Sequence, residues 1–323
     1  MNNILIVTDT FEQVNGVSTT YKNMIAESDE KITVAHPGLW GYTISSLYPE
    51  VQICYQPLRA YRFFEMLKPC HVHIATEGVL GLTARIYCKM WNVSYTTAYH
   101  TKFPEFLYEI AKIPKWLTYG YLRWFHKKSK AILVPTISCI EELNKRGFNN
   151  LRLWTRGVSQ EMISNKTPTP SDKIRLLNVG RISKEKNLDE LCKLADKYDV
   201  TIVGDGPYLE ELKLKYPDVT YLGYKFGKEL ADIYATHDVF VFPSKTDTFG
   251  IVIIEALRNG TPVAAYNVTG PKDILQDGLT GSMCDSLEQS IQICVKLNRD
   301  SIKQASTKWS WKECLDTFID ALR

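Results

Sequence analysis

The chain has 323 residues, 45% hydrophobic and 23% charged, which excludes a mainly disordered, collagen-like or coiled-coil protein. At about 100–200 residues per domain, that length predicts two domains. The net charge of +3 is uneven: residues 1–165 carry 18 basic against 13 acidic groups, and residues 166–323 carry 21 against 23. No apolar run approaches the ~18–20 residues of a membrane span. Met1-Asn2-Asn3-Ile4 lacks the basic region and cleavage site of a secretory leader. Eight cysteines occur without a C-x-x-C pair or a His-x-x-x-His partner, so reduced thiols in a cytoplasmic protein and no metal centre are expected.

Short apolar runs alternate with helical patterns along the chain, which predicts βαβ units and parallel sheets. The first series of strands is Ile4–Thr8, Ile32–His36, His71–Thr76, Val93–Thr97 and Ala131–Pro135. A domain over 1–160 is followed by a polar linker over 161–173 that contains Pro168 and Pro170. A second series covers a domain over 174–306: Ile174–Gly180, Val200–Gly204, Val219–Gly223, Val239–Pro243 and Thr261–Tyr266. In 307–323 an amphipathic helix carries Trp311, Leu315, Phe318 and Leu322 on one stripe. It either caps the second domain or returns to the first. The fold class is therefore α/β, two doubly wound parallel sheets with a ligand cleft expected between them.

Three segments carry candidate chemistry. Asn15-Gly16-Val17-Ser18 follows the first strand and opens a helix, where Gly permits close approach of a phosphate. No G-x-G-x-x-G occurs, which argues against a nicotinamide enzyme. Gly180-Arg181-Ile182-Ser183-Lys184-Glu185-Lys186 again joins a strand to a helix, and Arg181 and Lys186 suit a diphosphate. Surface pairing of these cations with Glu185 or Glu190 is the alternative. The third segment runs from Pro243 through Asp247, Phe249 and Gly250 to Glu255, with a helix expected from near Phe249 to Asn259-Gly260. Glu255, eight residues after Asp247 in an apolar run, needs partners such as sugar hydroxyls, an Arg or a backbone donor.

Together these segments resemble the retaining glycosyltransferases of glycosyltransferase family 4. So do His73–Gly78, Tyr99–Phe103, Arg156-Gly157-Val158, Val203–Pro207 and Ser310–Glu313. The similarity is greatest to the bacterial α-mannosyl-, glucosyl- and sulfoquinovosyl-transferase-like branch. The resemblance implies the GT-B architecture, two Rossmann-like domains facing across a cleft. It implies transfer of a mannose- or glucose-type hexose from a UDP- or GDP-sugar to an acceptor hydroxyl, by front-face displacement. The nucleotide sugar is a co-substrate, and neither cofactor nor metal is expected.

By the same resemblance Gly16 contacts the donor phosphates, and Arg181 and Lys186 neutralise the departing diphosphate. Glu255 binds the ribose. Asp247, with the N–H groups of Phe249 and Gly250, meets the donor sugar. His100 sits near the reacting carbon, Gly206 lines the donor side, and Tyr224-Lys225 meets the base. Two departures stand out: Asp247 replaces a Glu, and the stretch from Val34 to His71 is short.

Between Glu109 and Glu141 there is no acidic residue, while Lys102 lies just before and Arg123, Lys127 and Lys128 lie within, among Trp116 and Trp124. Leu117, Tyr121, Trp124 and Phe125 share one helical face. That face either packs under the sheet or meets an anionic membrane carrying a lipid acceptor. Localisation is then cytoplasmic, peripheral on the inner membrane face. Nucleic acid is the least favoured acceptor, and monomer and dimer are both open. The competing functions are a GT-B sugar-nucleotide epimerase, a phosphorylase, which should be a much longer chain, and a non-catalytic nucleotide-sugar-binding module.

Overall fold

Strands buried on both faces read as continuous apolar runs rather than alternating ones, and both halves of this chain contain such runs. The computed structural model describes residues 3–44 and 52–323, with the backbone alone at Ile110. Residues 1–2 and 45–51, which include the chain start and part of the short Val34–His71 stretch, lie outside the described residues. The chain divides into two units, Met1–Arg156 with Trp311–Arg323, and Gly157–Ser310.

The first unit holds strands β1 (Asn3–Val7), β2 (Lys31–Ala35), β3 (Tyr42–Ile44), β4 (Gln52–Cys54), β5 (His71–Ile74), β6 (Tyr95–Ala98), β7 (Ile132–Val134) and β8 (Leu151–Leu153). Its helices are α1 (Gly16–Ala26), α2 (Pro57–Leu67), α3 (Val79–Trp91), α4 (Phe103–Ala111), α5 (Lys115–His126) and α6 (Ile137–Lys145). The parallel sheet runs β2-β1-β5-β6-β7-β8, with Ile6 paired to Val34 on one side and His73 on the other. Along β1, Ile4 and Ile6 enter one core while Leu5 and Val7 enter the other.

The second unit holds β9 (Arg175–Val179), β10 (Asp199–Val203), β11 (Thr220–Tyr221), β12 (Val239–Phe242), β13 (Val263–Ala265) and β14 (Gly281–Met283). Its helices are α7 (Asp189–Cys192), α8 (Leu209–Lys215), α9 (Gly227–Thr236), α10 (Ile251–Arg258), α11 (Pro271–Ile274), α12 (Leu287–Cys294) and α13 (Arg299–Ala305). The strand order is β11-β10-β9-β12-β13-β14. Both sheets are doubly wound, so their order reverses beside the first strand: at β1/β5 in one unit and at β9/β12 in the other. Ligands bind beyond the carboxyl ends of strands at such points.

The chain closes with α14 (Trp311–Leu322), which belongs to the first unit. Its stripe of Trp311, Leu315, Phe318 and Leu322 is buried with Ile4, Ile6, Tyr21 and Trp154, and Trp154 Nε1 donates to Cys314 O at 2.9 Å.

Three features depart from the sequence reading. The β3–β4 hairpin, β8 and β14 had not been expected; each strand is only three residues long. The helix expected from near Phe249 starts at Ile251, because Gly250 turns the chain at φ +92° and sends Phe249 into the core against Trp309. The buried face of α5 is Tyr119, Leu122, Phe125 and His126, whereas Leu117, Tyr121 and Trp124 are exposed. Of that stripe, which the sequence left open between packing under the sheet and facing a membrane, only Phe125 lies inside.

Candidate functional site

In the second unit the β9 and β12 loops meet at the switch point. After β9 the backbone is held against the β10 turn: Ile182 N–H donates to Asp205 O at 2.9 Å, and Tyr208 N–H donates to Ile182 O at 3.0 Å. A Cβ on Gly206 would meet Ile182 O at 2.3 Å, so glycine alone fits there. A short 3-10 turn, Lys184–Lys186, ends at Asn187 with φ +57°, and the Asn187 amide donates to Pro243 O at 3.3 Å. This stitch places Lys186 Nζ 2.5 Å from Asp247 Oδ1. Asp247 Oδ2 is buried with no hydrogen-bond partner among the described residues. Burial pushes the Asp247 carboxyl up, but the Lys186 ammonium, with the Ser244 hydroxyl adding to it, more than offsets burial, and the acid titrates below its ordinary range. Arg181 lies 3.8 Å from Glu185 and keeps about a fifth of its side chain exposed.

Glu255 sits on α10, where Tyr234 Oη donates to its Oε2 at 2.9 Å. The partner is thus a tyrosine, not the Arg or backbone donor considered from sequence. Burial pushes the carboxyl up to about 7, against a smaller downward pull from Tyr234. Beyond β11, exposed Tyr224 and Phe226 stack at 5.9 Å and 14°, and Lys225 pairs with Glu229 at 2.6 Å.

In the first unit Gly16 opens α1, with Asn15 Oδ1 accepting from Val17 and Ser18 N–H at 3.0 and 2.9 Å. His100 follows β6; its Nε2 lies 2.9 Å from Tyr21 Oη and its Nδ1 3.1 Å from Arg156 Nη2. Burial, then Arg156 and His73, hold His100 well below the usual imidazole range. Asp9, just past β1, is also buried: the Thr76 hydroxyl donates to it at 2.7 Å and Leu80 N–H at 3.4 Å. Burial pushes Asp9 up to about 6.

Lys102 is engaged by Glu142 at 2.9 Å. Trp116 is 72% exposed, and Trp124 is covered on one face by the Arg85 guanidinium at 3.9 Å. Lys127 and Lys128 are exposed, and Arg123 donates to Arg146 O at 3.3 Å. No helix among the described residues is long and apolar enough to cross a membrane.

The structure thus joins Lys186, on the loop after β9, to Asp247, on the loop after β12, with Arg181 on the Lys186 loop and 3.8 Å from Glu185. His100 and Gly16 lie in the other unit. Sequence reasoning assigned no role to Tyr21, Arg156 or Asp9. The usable signals were slight: an acid directly after the first strand, and an Arg ahead of Gly157.

Both units are similar to known proteins. The family described as Glycosyltransferase Family 4 matches residues 17–161, and the one described as Glycosyl transferases group 1 matches residues 159–299. The chain is 32% identical over 266 residues to the sulfoquinovosyl transferase SQD2 of Arabidopsis thaliana, a match covering 75% of this chain and 51% of that protein. It is 29% identical over 315 residues to a GDP-mannose-dependent alpha-mannosyltransferase of Mycobacterium tuberculosis, covering 86% and 82%. The chain therefore spans about half the length of the plant relative and four fifths of the mycobacterial one. Among solved structures, Anabaena HepE in complex with UDP-glucose superposes with a TM-score of 0.75 at 13% identity, covering 99% of each chain. Matched continuously over residues 17–299 by these two families and built from two Rossmann-like units, the chain belongs to the glycosyltransferases of family 4 and group 1, with the GT-B fold.

Proposed function

We propose that the chain is a retaining hexosyltransferase that moves a mannose- or glucose-type sugar from a UDP- or GDP-sugar to an acceptor hydroxyl. The observation that carries this reading is the split carboxylate of Asp247: Oδ1 holds Lys186, while buried Oδ2 has no partner among the described residues and suits a sugar hydroxyl. Arg181 and Lys186 take the diphosphate, Glu255 takes the ribose hydroxyls, Gly206 lets the loop approach closely, and Tyr224-Lys225 meets the base. Gly250 and Phe249 orient the loop beneath the sugar. On the first unit, Gly16 contacts phosphate and His100 contacts the sugar.

In the reaction the acceptor oxygen bonds to the anomeric carbon as the carbon–oxygen bond to the diphosphate breaks. The acceptor proton passes to a leaving phosphate oxygen on the same face. The protein's part is to position the reactants and stabilise the growing phosphate charge, which cations and helix N-termini do without a metal. The donor names of the relatives, GDP-mannose and UDP-glucose, support this substrate class.

The acceptor side is read from α5. Trp116, Leu117 and Trp124 stand exposed among Lys112, Lys127 and Lys128, a combination suited to an anionic lipid surface. The acceptor is accordingly a membrane lipid or lipid-linked glycan met by peripheral association. Incubation with UDP-, GDP- and ADP-sugars, with and without lipid extract, tests the reading. Slow nucleotide release from one donor, accelerated by lipid, is expected. No release from any donor overturns it.

A further inference from the structure

The buried polar chain around His100 has one direction, set by its arginine end. A guanidinium donates and never accepts, so His100 Nδ1, facing Arg156 Nη2 at 3.1 Å, is the acceptor. The proton of the neutral ring then lies on Nε2 and is donated to Tyr21 Oη at 2.9 Å. Tyr21 in turn gives its single proton to His73 Nε2 at 2.7 Å, and His73 Nδ1–H donates to Thr96 Oγ1 at 2.8 Å. Arg156 is itself fixed: Nη1 donates to Trp154 O and Thr155 O at 2.7 and 3.1 Å, and its plane lies 4.4 Å from the Trp154 ring centre. Arg156, Tyr21 and His73 are all buried. Protonating His100 would set N–H against N–H and cation beside cation in a dry site.

We propose that Arg156, Tyr21, His73 and Thr96 are positioning residues that lock His100 as its neutral Nε2–H tautomer with both ring nitrogens engaged, so that the ring meets the transferred sugar through its carbon edge in one fixed orientation and takes no proton. The inference rests on the reading that His100 meets that sugar. Burial, with Arg156 adding to it, pushes His73 down to about 3, and burial keeps Tyr21 well above the usual phenol range. Cys314 and Glu77 are the other titratable groups that bear on Tyr21.

Long-range proton–nitrogen NMR on the full chain with ¹⁵N-labelled histidine reads the tautomer directly, the His100 signals being assigned by their loss in His100→Asn. His100 should remain Nε2–H and neutral as pH falls from about 8 to about 5.5. An Nδ1–H ring, or a titration midpoint near the ordinary 6.5, overturns the proposal. Arg156→Met should mix the tautomers and lower kcat by up to about 10²-fold with little change in donor KM, the cost of a misplaced group. Arg156→Lys, which keeps a donor, should restore the single tautomer. Unchanged signals from His126, which lies outside this chain of hydrogen bonds and bonds Thr97 instead, certify the fold. If Arg156→Met does not fold, Tyr21→Phe serves instead: it removes the Nε2–H acceptor and should shift that nitrogen. An unchanged His100 spectrum in the folded variant overturns the proposal. A wild-type chain with the expected tautomer but no turnover of any donor leaves the positioning account standing and overturns the transferase reading.

Discussion

The two switch points of this molecule are finished differently. At the first, Arg156, His100, Tyr21, His73 and Thr96 satisfy one another through a single chain of hydrogen bonds inside one unit. At the second, Lys186 and Asp247 form a pair that leaves a buried carboxylate oxygen unsatisfied. A polar group saturated by its own fold is held in place. One left unsatisfied, at a cost of about 1–3 kcal/mol, is aimed at a ligand. We read the first region as a frame and propose the second as a grip. The two should respond differently to the same kinds of substitution.

The largest effect should come from the grip. Arg181→Ala or Lys186→Ala should lower kcat by roughly 10²–10³, as for removal of one preorganised charge stabiliser. Near-wild-type turnover in both variants would erase the distinction between the regions. Lys186→Ala has a further consequence, because the Asp247 carboxyl loses the ammonium that holds it low and should titrate higher.

Glu255→Gln comes next. Loss of a charged acceptor should weaken nucleotide binding by about 10–10²-fold, measured by calorimetry. Its stability signature has a definite sign. The folded acid titrates near 7 against an ordinary 4.5, so its stabilising protonated form is fully populated below 4.5 and lost as pH rises through 7. Glu255→Gln should therefore match the wild type in thermal stability near pH 4.5 and exceed it above pH 7. The buried histidines of the frame carry the opposite sign. His73 is held neutral down to about 3, so it costs stability as pH falls below the ordinary 6.5 and the unfolded chain takes up protons. A Glu255→Gln advantage that does not grow with pH would contradict the burial assigned to that carboxyl.

The smallest effect belongs to the exposed face of α5. Trp116→Ala with Trp124→Ala should reduce flotation with anionic liposomes a few-fold and leave soluble donor hydrolysis unchanged, since both rings stand exposed on α5 and suit a lipid interface. No flotation of the wild type with anionic or neutral lipid would remove the membrane reading.

Much of this was readable in the chain. The ten expected strands reappear within two residues or so, because strands covered on both faces must be apolar throughout, as Leu176-Leu177 and Val239–Phe242 are. The pairs of loops that form each switch point were also legible, since each follows a strand and carries its glycine or cation. The helix start at Ile251 was not, because the positive φ of Gly250 decides it and composition does not. Nor was the inward face of α5: the spacing that aligns Leu117, Tyr121 and Trp124 also aligns Tyr119, Leu122 and His126, and only the neighbours choose. The frame was the least legible part. Tyr21, His73, His100 and Arg156 come from four separate segments, and the parallel β1-β5-β6 topology brings them together.

The central claim is that the Lys186–Asp247 pair grips a nucleotide sugar for transfer. The most direct measurement is nucleotide release from UDP- and GDP-sugars by the wild type and Lys186→Ala, with a metal chelator present. Release by the wild type, insensitive to the chelator and reduced at least about 10²-fold in the variant, is the predicted result. Equal release by the two proteins, or none from any donor, would contradict it.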